Sequence, residues 1–545
     1  MKSKNVLYVL TVPAVFLFAF SIRLYWINHK TGINTDEAAT HSISSFTKYG
    51  WSGPLPENTE ITGAQALEMM YGNINDPAKN LAAFETLRKT NNYDLSHPNL
   101  YYLLYRLSAT VNGSRIFTLK ELVKTGCGLN IVLFCFSFLF MYLLLKNLFA
   151  DRKLIPLGLA AAFLNTGSVS NTLFIRDYQL QETALILFTL FFVIFYKKEK
   201  ISGWKDFCIL AAVTAFTFLS GYFTLLYVGM LGLILTIKQK KNAGFLLAAF
   251  TAGTVLTFAA FPAYFDGFSS ARAREITDVT IEKTFSEFKY FTRAFVMINS
   301  EYLFYIPAAA FLTLCLILSF IKRFKKKSRE KIPLAAALIA VALVWSFVTL
   351  FFAPYKILRY IMPVFPVISL IAPYIFGRLK DDIYKISAPL FVLVMSAGAL
   401  FAAQTDQRYY YGDNQFYRKF SAGSYIENGG FDNAERYKFT KKPELPVIFI
   451  MNENAYRHVY GYNALALYFM PEQKYLFMAG GKDLAGLYGR YNHFYLVVEN
   501  NIYHNNFPGP PEGGEILDTF FIDNNGNQYT GLEIANKEKT DNLHF

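Results

Sequence analysis

Apolar positions in this chain fall in long unbroken blocks, not in the short periodic runs of a soluble core. Val6 to Ile22, Ile131 to Leu145, Ala184 to Tyr196, Ile306 to Ile321 and Leu334 to Phe352 are such blocks. They approach or reach the roughly 20 apolar residues that carry a helix across ~30 Å of hydrocarbon. Hydrocarbon offers backbone amides no partner, so each block is expected to be a helix. Short basic connections alternate with them: Lys146 to Lys153, Lys197 to Lys205, Lys238 to Lys241, Lys322 to Lys331 and Arg378 to Lys385, with Lys2 and Lys4 ahead of the first block. By the positive-inside rule these connections are cytoplasmic. About eleven spans result, near 5–24, 121–145, 154–173, 179–196, 206–221, 223–237, 243–262, 303–321, 333–353, 358–377 and 386–403. The odd number puts the C-terminus outside. The first block runs into Ser21-Ile22-Arg23-Leu24 without a small-residue cleavage pattern, so it is expected to stay as a helix.

Two segments depart from the short connections: an outer loop at 25–120 and the tail from 404. Segments this long usually carry a site or a fold of their own. In the loop, Thr35-Asp36-Glu37-Ala38 has the acidic first turn of a helix, continued by an apolar stripe of Ala39, Ile43 and Phe46. Leu100, Leu103, Leu104 and Leu107 form a second stripe after Pro98. Both are expected to be short amphipathic helices on the outer membrane surface. In the tail, Val447 to Met451, Tyr475 to Met478 and Phe494 to Val498 read as short buried strands. The expected fold is a mainly α-helical polytopic membrane domain at 1–403, which includes the loop, followed by an extracytoplasmic α/β domain at 404–545.

Composition agrees, with 53% hydrophobic and 17% charged residues. The formal net charge of +13 raises the question of a polyanionic partner. A nucleic-acid binder gathers its cations on one folded surface, whereas here they sit at the ends of apolar blocks, so no nucleic-acid partner is expected and membrane lipids are. The four cysteines all lie in expected spans, which leaves the outer segments without a disulfide framework.

Candidate chemistry collects at the outer ends of the spans. Asp36 and Glu37 are adjacent carboxylates soon after the first span, although acidic first turns are also common in ordinary helices. Asp94 precedes His97-Pro98-Asn99-Leu100-Tyr101-Tyr102. Here His97 alone reads as a cap, and Tyr101 and Tyr102 suit headgroup depth. Arg176-Asp177-Tyr178 occupies a short turn beside hydrocarbon, where charges are costly unless paired or functional; an internal pair of Arg176 with Asp177 or Glu182 is the plain alternative. Lys356, Arg359 and Tyr360 lie at the outer end of the span at 358–377, against the positive-inside trend. Snorkelling to headgroups would explain these cations, but a guanidinium can also hold phosphate oxygens bidentately, which favours Arg359 over Lys356 as a phosphate ligand.

The order of these signals resembles the protein mannosyltransferase and aminoarabinose transferase superfamily of C-type membrane glycosyltransferases over residues 1 to about 400. The carriers are an Asp-Glu pair after the first span, a His-Pro-x-Leu-Tyr-Tyr run, an Arg-x-Tyr turn and an Arg-Tyr-x-x-Pro-x-x-Pro helix. Family members commonly have a second proline where this chain has Asn99. The resemblance implies sugar transfer from a polyprenyl-phosphate donor to a glycan, lipid or protein acceptor, by an integral protein of a bacterial cytoplasmic membrane with its site outside. It places Asp36 as general base, Glu37 beside it, Arg176 in the cleft, and Arg359 and Tyr360 near the carrier phosphate, where the cations Lys356 and Arg176 are expected to assist. Asp177, Tyr178 and Tyr360 fall in the same cleft by position. A divalent cation suits a carboxylate pair beside a phosphate but is not required by it. The rival class is a membrane transporter or lipid flippase, which would show internal repeats and helices broken near the midplane; neither is visible in the sequence, and the charged sites cluster on one face.

Overall fold

Among the described residues, six helices are long and apolar enough to cross a membrane: Leu10–Asn28, Lys120–Leu148, Tyr178–Lys197, Lys240–Ala260, Leu334–Phe352 and Asp381–Leu400. They fall on six of the expected spans, and the chain is an integral membrane protein. The computed structural model describes residues 2–28, 30, 35–45, 56–71, 77–90, 97–112, 119–269, 303–317, 333–352, 358–405, 439–451, 469–479, 490–499, 514–524 and 527–536. Two compact units divide the chain. One comprises Met1–His29, Leu95–Tyr101 and Cys127–Tyr425, and the other Lys30–Asp94, Tyr102–Gly126 and Ile426–Phe545. This division by compactness groups most of the first long loop with the tail, whereas the boundary at 403/404 follows apolar content.

Within the described residues, the remaining expected spans are shorter or interrupted. The segment at 154–173 is two helices, Leu154–Phe163 and Thr166–Leu173. Asn165 makes the break: its Oδ1 accepts from the backbone N–H of Ser168 at 2.8 Å, while its Nδ2 donates to the carbonyls of Ala161 and Ala162 at 3.0 and 2.7 Å. One side chain thus ends one helix and starts the next. The segment at 358–377 is built of short pieces at Leu358–Tyr360, Met362–Val364, Phe365–Ile368 and Ile371–Phe376. Pro363, Pro366 and Pro373 each remove an N–H from the ladder. Helices Trp204–Phe218 and Thr224–Lys238 have 15 residues each, or ~22 Å at 1.5 Å per residue, short of the full hydrocarbon core.

In the second unit the Thr35–Ser45 helix is not a one-sided surface helix, because every residue from Asp36 to Ser45 is buried. Glu37, Thr40, the His41 Nδ1 and the last carbonyls find protein partners, described below, which offsets much of the cost of burial. On the Leu100–Asn112 helix the leucine stripe is the more exposed face. Tyr101, Tyr102, Tyr105 and Arg106 are buried, while Leu107 is 50% exposed and Leu103 and Leu104 are half-buried. Phenol and guanidinium groups need hydrogen-bond partners inside the protein, whereas leucine can equally face hydrocarbon.

The tail strands form at the expected places, and the sheet holds more than was expected. Strands β1 (Glu60–Thr62), β2 (Val447–Met451), β3 (Lys474–Ala479), β4 (His493–Glu499), β5 (Gly514–Asn524) and β6 (Asn527–Asn536) make a six-stranded sheet in the order β1-β3-β2-β4-β6-β5. β2 is parallel to both β3 and β4, and the outer pairings are antiparallel. Ile448, Ile450, Leu476, Met478, Leu496, Val498, Leu532 and Ile534 pack on one face. Phe449, Phe469, Tyr475 and Phe477 stack on the other. Burial on both faces explains the unbroken apolar runs of the parallel strands.

Candidate functional site

Within the second unit, the Thr35–Ser45 helix opens with Asp36 and Glu37 in its first turn. The two carboxylates differ. Glu37 has no exposed surface, and its oxygens accept hydrogen bonds from the Lys30 ammonium at 2.8 and 3.1 Å; Lys30 is itself buried. Both oxygens of Glu37 are thus engaged in neutralising a buried cation, a task that an acceptor or a divalent cation would have to compete with. Asp36 retains 7% exposure, and its backbone carbonyl accepts from Thr40 Oγ1 at 3.1 Å.

The other end of this helix is held by Arg106, which donates to the carbonyls of Ser44 and Ser45 at 2.9 and 3.0 Å. A cation there also complements the negative end of the helix dipole. Asn80 Oδ1 accepts from Arg106 Nε and Nη2 at 3.1 and 2.8 Å. His41 lies with Nδ1 3.2 Å from the Tyr105 hydroxyl, and burial pushes its pKa down to about 3, so its ring is neutral. Tyr102 packs with Ala39, Ile43 and Leu87 in a small core. Its ring serves that packing.

Within the first unit, the turn from Phe174 to Tyr178 gathers the other candidates. Arg176 is 4% exposed, and its Nη2 donates to His97 Nδ1 at 3.3 Å. A guanidinium has no acceptor, so Nδ1 accepts and the imidazole proton sits on Nε2. Asp177, also 4% exposed, accepts from Gln181 Nε2 through Oδ2 at 2.8 Å. The Arg359 guanidinium lies 5.4 Å from the Phe174 ring centre, 5.9 Å from that of Tyr178 and 5.7 Å from that of Tyr360. These are cation–π distances, and three rings fix where the charge can sit. Asp94 and Lys356 lie outside the described residues.

Groups that the sequence did not single out hold this turn in place. Asn130 donates to the carbonyls of Thr172 and Phe174 at 3.2 and 2.8 Å and accepts from the Tyr101 hydroxyl at 2.9 Å. Tyr101 therefore acts on the turn through Asn130. Arg23, wholly buried, donates to Thr172 Oγ1, Ser168 Oγ and the Phe163 carbonyl, with its guanidinium 3.9 Å from the Phe134 ring centre. Ser168 in turn donates to Glu182, which also accepts from Asn171 and Gln179. Glu182 is thus engaged away from Arg176, and the simple Arg176–Glu182 pair does not describe the turn. The available signal was Arg23 itself, an ionisable residue at the end of the first apolar block. Among the described residues, no three or more His, Cys, Asp or Glu side chains come together as a metal site.

No protein-family model and no curated sequence matches the chain. Among solved structures it is similar to ArnT from Cupriavidus metallidurans bound to undecaprenyl phosphate, at a TM-score of 0.50 and 11% identity, over 98% of each chain. The chain shares the overall fold of that ArnT structure. The apo state of ArnT aligns at 0.48 with 11% identity over 97% of this chain and 98% of that one. An oligosaccharyltransferase from Archaeoglobus fulgidus, tethered with an acceptor peptide, aligns at 0.40 with 9% identity over 83% of this chain and 63% of that one. This likeness of fold is separate from that of the ordered motifs, and it extends beyond residue 400 to nearly the whole length.

Proposed function

We propose that this protein transfers a sugar from a polyprenyl-phosphate donor to a glycan, lipid or protein acceptor at the outer face of a bacterial cytoplasmic membrane. The observation that carries the donor half is the convergence of two cations on one five-residue turn. Arg176 belongs to the Phe174–Tyr178 turn, and Arg359 lies over the rings at both its ends. Two guanidiniums so held suit a phosphate whose negative charge grows as it leaves. In this reading the acceptor oxygen attacks C1 as the bond from C1 to the phosphate oxygen breaks. Asp36 takes the acceptor proton, polyprenyl phosphate departs against Arg359 and Arg176, and C1 inverts. Lys356 belongs to the same phosphate group in this proposal. The eleven-span topology, the functional division at 403/404 and the extracytoplasmic tail are parts of the same reading.

Purified protein in lipid nanodiscs, given a defined polyprenyl-phosphate sugar and an envelope extract as acceptor, should release one polyprenyl phosphate per sugar transferred. Asp36→Asn should release almost none. The interrupted helices at 154–173 and 358–377 correct the sequence view that no span is broken, and they favour the rival transporter or flippase reading. In proteoliposomes that rival predicts lipid-linked sugar crossing the bilayer unconsumed, and this result would replace the transferase proposal.

A further inference from the structure

A groove of about 700 Å³ in the first unit lies among three helices and is separate in its residues from the turn described above. Thr11 of the first helix, Pro156 and Leu157 of Leu154–Phe163, and Ala388, Pro389 and Val392 of Asp381–Thr405 line it. Lys153 and Lys385 also line it, and each belongs to one of the basic connections. Along the last helix the lining runs from Lys385 to Ser396, or ~16 Å at 1.5 Å per residue. One leaflet of a ~30 Å hydrocarbon core is ~15 Å deep. The groove therefore has the length of one acyl chain and a cationic end where the headgroup would lie.

Two further details favour an anionic headgroup. Lys153 and Lys385 have exposed carboxylates as neighbours, Asp151 at 3.8 Å and Asp382 at 3.6 Å, and pairs so exposed and long leave most of the ammonium charge available. The Lys153 carbonyl accepts from the Tyr384 hydroxyl at 2.9 Å, and the Lys153 ammonium lies 5.8 Å from that ring centre, so this end of the groove is a built corner. We infer that the groove between Lys153 and Ser396 holds one anionic glycerophospholipid, its phosphate against Lys153 and Lys385 and an acyl chain against Leu157 and Val392. A polyprenyl chain, many times longer than one leaflet, does not match the floor.

Native mass spectrometry of the full chain released from nanodiscs of equimolar phosphatidylglycerol and phosphatidylcholine tests this. One phosphatidylglycerol should be retained in preference to phosphatidylcholine. The doubly substituted Lys153→Glu, Lys385→Glu protein should lose that preference on the order of 30-fold, at the several-fold per basic residue that anionic headgroups give. Val392→Trp, or Ser396→Trp if the first fails to fold, should empty the groove of both lipids with the lysines intact. Equal retention of the two lipids, or an unchanged preference in the charge-reversed protein, would overturn the inference. So would displacement of phosphatidylglycerol by stoichiometric polyprenyl phosphate, which would make the groove a carrier site instead.

Discussion

Asp36 and Glu37 are neighbours in sequence, and the structure predicts that substituting them fails in different ways. Glu37→Gln leaves the buried Lys30 ammonium without the carboxylate that holds it at 2.8 Å. Removing one partner of a buried pair costs about 3–5 kcal/mol, a large part of the ~5–15 kcal/mol that holds a typical domain together. Replacing both partners by apolar residues of similar volume removes the desolvation cost along with the attraction, so Lys30→Met with Glu37→Leu should unfold within ~1 kcal/mol of wild type. Asp36→Asn keeps the shape and should also leave stability near wild type, but it removes the proposed base and should lower transfer by ~10²-fold or more. The assay is thermal unfolding in detergent alongside transfer in nanodiscs. The expected pattern is an unstable single Glu37 variant, a stable double variant with substantial activity, and a stable, inactive Asp36 variant. A double variant as stable as wild type and as inactive as Asp36→Asn would refute the reasoning, because Glu37 would then take part in the reaction directly.

Other outcomes follow from the same geometry. Arg359→Lys should reduce turnover with the lipid donor and leave acceptor binding little changed, since an ammonium has neither the planar face that three rings position nor the two parallel donors that phosphate accepts; equal turnover would favour snorkelling. Asn130→Ala strips partners from the Thr172 and Phe174 carbonyls at ~1–3 kcal/mol each, so the melting temperature and turnover should fall together, whereas normal melting and turnover would remove Asn130 from the support of the turn. His41 should make stability depend on pH. Its folded pKa is depressed, so the contribution is complete above its ordinary value of 6.5 and is lost as pH falls towards about 3; melting followed over that window should be flatter in His41→Phe. Cysteine labelling should reach the 25–120 loop and the tail from outside and Lys322 to Lys331 only after the cytoplasm is opened, and the opposite pattern for the tail would overturn the proposed sidedness.

What could be read from the sequence was whatever depends on local pattern. Val447 to Met451 is a strand with the expected ends, because a short unbroken apolar run rich in β-branched residues marks it without reference to distant residues. The Thr35–Ser45 and Leu100–Asn112 helices were legible from stripe and punctuation, but the polar partners on their buried sides were not. The Tyr102, Tyr105 and Arg106 side chains are drawn inward by Ile43, His41 and Ser44, and no spacing of apolar residues along one helix encodes partners on another. Asn165 was hidden for a related reason, since one polar residue among apolar ones looks tolerable in a span until its side chain is seen bonding in both directions. Arg176 and Arg359 could be named individually, but their shared turn depends on a contact between segments far apart in a span-rich chain. The β5–β6 pair was missed because Asp518, Asp523 and Asn524 dilute its apolar alternation.

The edge strand at Glu60–Thr62 has a consequence for biosynthesis. Its partner, Lys474–Ala479, leaves the ribosome roughly 400 residues later, which at ~5–20 residues per second is ~20–80 s. During that interval every apolar helix is made while the short strand has no sheet to join, and an unpaired edge is a template for mispairing with a neighbouring chain. Glu60 also accepts from the Tyr491 hydroxyl at 2.7 Å and pairs with Lys474 at 2.8 Å, so the early segment supplies polar anchors as well as backbone pairing. An engineer exchanging tails between relatives of this protein would therefore have to move residues 57–71 together with everything after 438, or leave the new sheet with one strand missing.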